Sequence, residues 1–133
     1  MKLLIDTHVV LWWQQDDRRL NAAPRKAIAR ADIVWVSAAT ACEVSIKLSQ
    51  RRLRVNEPLR VTVGADDFTE LPLTLRHSEE LAILPLHHND PFDRILIAQI
   101  IRPFDRVIHM PFRSVFLIIA KRGRDAALRG ACV

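Results

Sequence analysis

Glycine, cysteine and tyrosine are scarce in this chain, and each shortage excludes something. Only three glycines occur in 133 residues, so no Gly-rich loop is present to cradle a phosphate. The two cysteines, Cys42 and Cys132, stand far apart without C-x-x-C or Cys/His spacing. A disulfide framework and a structural zinc site are both disfavoured, and a reducing cytoplasm is the expected location. With no tyrosine and 6% aromatics, no base-stacking platform for single-stranded nucleic acid is evident. The longest apolar run, Val115 to Ala120, is six residues, far short of the ~20 of a membrane helix. The N-terminus reaches Asp6 too soon for a secretory signal.

Charge is also missing from most of the chain. Up to residue 99, thirteen basic residues balance thirteen acidic ones. The whole net charge of +5 arises from residue 100 onward, where seven basic residues meet two acidic. A basic tail can bind phosphate backbones, although such runs are also commonly a solvated surface. Half of the residues are apolar and the mean hydropathy is +0.06, enough for a core. The length suits one domain, 1–133, divided into a body of about 100 residues and a basic tail from 101.

The patterning alternates short strands with helices. Lys2 to Ile5 reads as a buried strand ending at Asp6, followed by a helix over Thr7 to Gln14. Asn21 caps a second helix with Pro24 in its first turn. Ile33 to Val36 is a second strand, and Ser37 caps a long helix to about Arg51, with Val44, Ile46 and Leu48 among its apolar positions. Residues 52–67 read as a loop and a helix, Glu70 to Leu73 as a short strand, and Ser78 to Leu84 as a helix closed by Pro85. His87-His88-Asn89-Asp90-Pro91-Phe92-Asp93 opens a strong helix burying Ile95, Leu96, Ile97, Ala98 and Ile100. Such alternation predicts an α/β fold with a central, mainly parallel sheet flanked by helices. Sites in such sheets lie beyond the carboxyl ends of the strands, where Asp6 sits.

Four carboxylates stand out by position: Asp6 at a strand end, Glu43 inside a helix, and Asp90 and Asp93 at a helix start. Two bare carboxylates ~4 Å apart repel by about 4 kcal/mol at an effective dielectric of 20. A cluster must therefore share protons or hold a cation, and oxygen-only ligands suit Mg²⁺ or Mn²⁺. A cation so held can activate a water for attack on a phosphodiester. Each acid also has a plainer reading. Asp6 can cap the Thr7 helix, Glu43 can be a half-exposed helix charge, and Asp90 can cap the helix that Pro91 begins. Asp93, three residues on, is the better ligand of that pair. His87 and His88 are adjacent and poorly placed for one metal. His8 beside Asp6 could order a site water, or simply pack. Arg51, Arg52 and Arg54 with Lys47 could touch nucleic-acid phosphate, or form a solvated face. Trp12, Trp13 and Trp35 read as core or interface.

Three segments together carry a resemblance: Leu-Leu-Ile-Asp6-Thr-His-Val, then Val-Ser-Ala-Ala-Thr-Ala-Cys-Glu43-Val-Ser-Ile-Lys, then His-His-Asn-Asp90-Pro-Phe-Asp93-Arg-Ile-Leu-Ile-Ala-Gln. In this order and spacing, residues 1 to about 100 resemble PIN-domain proteins, and within them the VapC-type toxin ribonucleases of type II toxin–antitoxin pairs. The resemblance implies a Mg²⁺- or Mn²⁺-dependent endoribonuclease. It implies Asp6, Glu43 and Asp93 as catalytic acids, and Asp6, Glu43, Asp90 and Asp93 as metal ligands. It further implies an RNA substrate, a cognate antitoxin and a homodimer.

The resemblance stops after Ile101. The family's usual Thr-x-Asp at the end of a later strand is absent, Pro103 interrupts helix propagation, and Cys42 replaces the Trp usual before the helical acid. Asp105 precedes the nearest strand-like run, Val107 to Met110, and Asp125 lies among Arg, Ala and Gly. The composition of the tail is what a GC-rich gene yields out of frame, so a frameshift near residue 100 is expected, with Val107 to Met110 or Val115 to Ala120 serving as a replacement strand. The competing reading is a nuclease-shaped protein that binds an antitoxin or RNA without turnover. A phosphatase-like use of Asp6 as nucleophile lacks the second Asp, because that position is His8.

Overall fold

The computed structural model describes residues 1–86 and 89–101 and the strands at 115–120 and 126–130. The elements run β1 (Lys2–Ile5), α1 (Thr7–Gln14), α2 (Ala22–Arg30), β2 (Ile33–Ser37), α3 (Ala38–Ser49), α4 (Leu59–Ala65), β3 (Thr69–Leu71), α5 (Leu75–Glu80), α6 (Pro91–Ile101), β4 (Val115–Ala120) and β5 (Ala126–Gly130). They form one five-stranded sheet in the order β3-β2-β1-β4-β5. All pairings are parallel except β4 with β5. The expected α/β fold is therefore present. Val115–Ala120 does pair with β1, while Val107 to Met110, Asp105 and Asp125 lie outside the described residues.

Register explains why the central strands β1 and β2 are mostly apolar. Leu3 pairs with Val34, Leu4 with Trp35 and Ile5 with Val36. Alternate residues face opposite sides. Leu3, Ile5, Val34 and Val36 join Val9, Val10, Trp12, Leu20 and Ile28 in one core layer beneath α1 and α2. Leu4 and Trp35 join Leu71, Leu96 and Ile100 in the other, beneath α6. A sheet covered on both faces needs apolar side chains at every strand position.

The shortage of glycine is visible at the helix ends. α1, α3 and α4 are each followed by a non-glycine residue in the left-handed region: Asp16, Arg51 and Asp67, with φ of 51°, 55° and 54°. After α3, Arg51 N–H donates to Leu48 O at 3.0 Å and Arg52 N–H to Lys47 O at 2.9 Å. This is the Schellman closure, in which glycine usually occupies the left-handed position. An arginine there carries a steric cost of about 1 kcal/mol.

Several expectations shift. Ile46 and Leu48 are 46% and 37% exposed, on the outer side of α3, whereas Val44 is buried. Among the apolar positions of α6, Ile95 and Ile97 are only half-buried, and Gln99 is buried in their place. The helix expected at Ser78 to Leu84 is α5, starting at Leu75. Thr74 caps it: its hydroxyl accepts the His77 N–H at 3.4 Å, and His77 Nδ1 accepts the Thr74 N–H at 3.1 Å. Histidine stands where a capping box usually carries Glu or Gln, which hid the start. β3 begins at Thr69 and ends at Leu71, before Pro72, which cannot donate a ladder hydrogen bond.

Asp17, in the turn between α1 and α2, holds Arg19 by its guanidinium and its backbone N–H. The Arg19 side-chain bond, foremost, lowers the Asp17 carboxyl to about 2. A depressed carboxylate stabilises the fold above its unfolded value, near 4, and loses that contribution as pH falls through about 2. The stability gap between wild type and Asp17→Asn should therefore narrow between pH 4 and 2 in thermal melts. A gap that widens there contradicts the assignment. Arg51→Gly should raise stability by up to about 1 kcal/mol in urea titration; a loss of that size would show that the arginine side chain supports the fold.

Candidate active site

The strand order fixes where a site can form. The chain moves outward from β1 to β2 to β3, then returns to the other side of β1 as β4. The crevice of an open α/β sheet lies at such a reversal, outside the carboxyl ends of the strands. Asp6 directly follows β1 at that end.

Asp6 is 3% exposed and caps α1, its Oδ1 accepting the Val9 N–H at 2.8 Å. Next to it, Thr7 is also buried, and its hydroxyl donates to Glu43 Oε2. This bond ties α1 to α3 at the sheet's carboxyl edge. Glu43 is 6% exposed, buried rather than the half-exposed helix charge that was its plainer reading. Its other oxygen, Oε1, pairs with the Lys47 ammonium one turn along α3. The sequence reading did not assign a partner to Glu43. The i,i+4 spacing of Glu43 and Lys47 was the available signal.

α6 is fastened to the same edge by Gln99. Its Oε1 accepts the Ser37 hydroxyl at 2.7 Å, and its Nε2 donates to Pro72 O at 3.1 Å. Ser37 meanwhile caps α3 by accepting the Ala39 N–H at 3.0 Å. One glutamine thus joins the start of α3, the end of β3 and α6. Asp93, half-buried, stands six residues before Gln99, and Glu43 six residues after Ser37, each about 9 Å of helix rise. Asp90 is exposed, and its Oδ1 accepts the Phe92 N–H at 2.8 Å, so its carboxylate serves as the cap of α6. Arg94 donates to Leu81, Leu84 and Pro85 carbonyls and so pins the preceding loop to α6. His87 and His88 lie outside the described residues. His8 is exposed and tilts against Trp12.

Among the described residues, no group of three or more His, Cys, Asp or Glu side chains is placed to hold a metal ion. Asp6, Glu43 and Asp93 do not make up such a group. Asp6 and Glu43 each engage a donor of their own.

The donors at the edge nevertheless suit a hard cation. Mg²⁺ commonly takes one or two carboxylates, several waters and substrate phosphate. Asp6 and Glu43 supply two buried carboxylates on adjoining elements. Thr40, three residues before Glu43 and so on the same side of α3, has a buried hydroxyl without a hydrogen-bond partner among the described residues. Such a hydroxyl can bond a water carried by a cation.

A family model for the PIN domain matches residues 3–108. The chain belongs to the PIN-domain family. It is 28% identical over 99 residues to Ribonuclease VapC22 of Mycobacterium tuberculosis (strain ATCC 25618 / H37Rv), an alignment spanning 72% of this chain and 76% of that relative. No solved structure matches.

The cap geometry yields a test. Asp6→Asn retains an N-cap acceptor and should keep stability within a few tenths of a kcal/mol, whereas Asp6→Ala should lose about 1 kcal/mol. Equal losses in urea denaturation would show that Asp6 does not act as the cap of α1.

Proposed function

We propose that this protein is a Mg²⁺- or Mn²⁺-dependent endoribonuclease, the toxin of a type II toxin–antitoxin pair. The observation that carries the reading is the pair of buried acids, Asp6 and Glu43, joined through Thr7 at the sheet's point of reversal. Buried carboxylates are tolerated only where they are hydrogen-bonded or paired, as both are here. Membership of the PIN family and likeness to a ribonuclease supply the substrate class.

In this reading Asp6 and Glu43 hold the cation, with Asp93 approaching from α6 when substrate is present. The cation supplies a Lewis acid that lowers the pKa of a bound water and neutralises phosphate charge. Asp6 is oriented by the Val9 N–H, and Glu43 by the Thr7 hydroxyl, so neither carboxylate has to search for its position. Thr40 orders a site water through its hydroxyl. Asp90 shapes the entrance by fixing the start of α6. Gln99 keeps α6 in register with α3, and with it Asp93. The partners are an RNA strand, a cognate antitoxin and a second copy of the chain. The large exposed side chains Leu75, Ile83 and Leu86 support protein partners.

The lack of a three-acid group among the described residues favours a second reading, a nuclease-like binder without turnover. β4 points the same way: its residues, Val115–Ala120, include no acid. One assay separates the two. Wild type should cleave structured RNA with Mg²⁺ or Mn²⁺ and stop with EDTA, while Asp6→Asn, Glu43→Gln and Asp93→Asn should each lose at least about 100-fold in rate. RNA binding without cleavage in any metal would establish the binder.

A further inference from the structure

Glu43 already has a cation beside it. The Lys47 ammonium lies on Oε1, and the Thr7 hydroxyl on Oε2, so both oxygens of this acid are engaged. The two members of the pair differ in exposure. The Lys47 side chain is 30% exposed and that of Glu43 8%. Glu43 is fixed inside the fold, whereas a lysine on a four-carbon stem can carry its head to water. A buried carboxylate left without a counter-charge is strongly unfavourable, so something positive must stay on Glu43 at all times.

We infer that Lys47 is a built-in counter-ion that holds Glu43 in the metal-free protein and withdraws when a divalent cation binds, so that this lysine sets the metal affinity of the site. The inference rests on the reading of Asp6 and Glu43 as metal ligands and adds a competitor to it. Two cations on one carboxylate repel, and by linkage each weakens the other's hold on Glu43 by the same factor.

The test is binding of Mn²⁺ alone to the purified full chain, without RNA, followed by the paramagnetic resonance of unbound Mn²⁺. Lys47→Met keeps the apolar stem and removes the charge. It should bind Mn²⁺ at least about fivefold more tightly than wild type, the lower end of typical site couplings. Lys47→Arg should bind more weakly than wild type, because a guanidinium grips a carboxylate at two points. A merely structural lysine would lower affinity on removal, not raise it. If Lys47→Met does not fold, Lys47→Arg, which keeps the charge, decides the matter by itself. Wild-type affinity in the folded Met variant, or in the Arg variant, overturns the inference and leaves the metal reading standing. Absence of Mn²⁺ binding in wild type and both variants overturns the metal reading and this inference together.

Discussion

A carboxylate buried at the edge of a parallel sheet has to be matched by positive charge or hydrogen-bond donors, and Glu43 shows how this chain does it. The Thr7 hydroxyl reaches it from the start of α1 and the Lys47 ammonium from within α3. Because Thr7 follows Asp6, the same bond that satisfies Glu43 also fixes the end of β1 and the cap of α1. Gln99 repeats the device on the other side, holding α6 to Ser37 and Pro72. The carboxyl edge is thus a network of buried polar groups above an apolar double layer. Partly broken, such a network is worse than an apolar contact, which ties the positions of α1, α3 and α6 to one another.

The chain beyond Ile101 changes what that edge can do. β4 takes the place beside β1 that a parallel sheet requires, in the register Ile5↔Ile118. The family model extends to residue 108, and β4 lies beyond it. A strand needs only apolar, β-branched text to join a sheet, whereas a ligand needs one particular side chain. Here the strand is present, and its own residues, Val115–Ala120, include no acid. Fold and chemistry separate at this point, as site chemistry and scaffold generally can.

Much of this was legible in the sequence. The first three strands and the first three helices were marked by apolar runs and by Asp6, Asn21 and Ser37 as caps, all local signals with a known mechanism. The start of α5 was not legible, because His77 performs a reciprocal capping role more often given to Glu or Gln. The exposure of Ile46 and Leu48 was not legible either, since an apolar residue on a helix does not announce which side is covered. At the site, the burial of Asp6 agreed with its placement at a strand end, whereas a helix position alone left Glu43 open between a buried acid and a half-exposed charge. What the spacing could not give was the partner of each acid. Thr7 to Glu43 and Ser37 to Gln99 are contacts between distant segments, and only the packed fold creates them.

The central claim is that Asp6 and Glu43 together form a cation site that Lys47 covers until it is filled. Crystals of the full chain soaked in Mn²⁺, with diffraction recorded at the manganese absorption edge, test it directly. The account predicts a single strong anomalous peak in contact with both Asp6 and Glu43, and the Lys47 ammonium moved off Oε1. No peak at that edge, or a peak there with Lys47 still seated on Glu43, would contradict it.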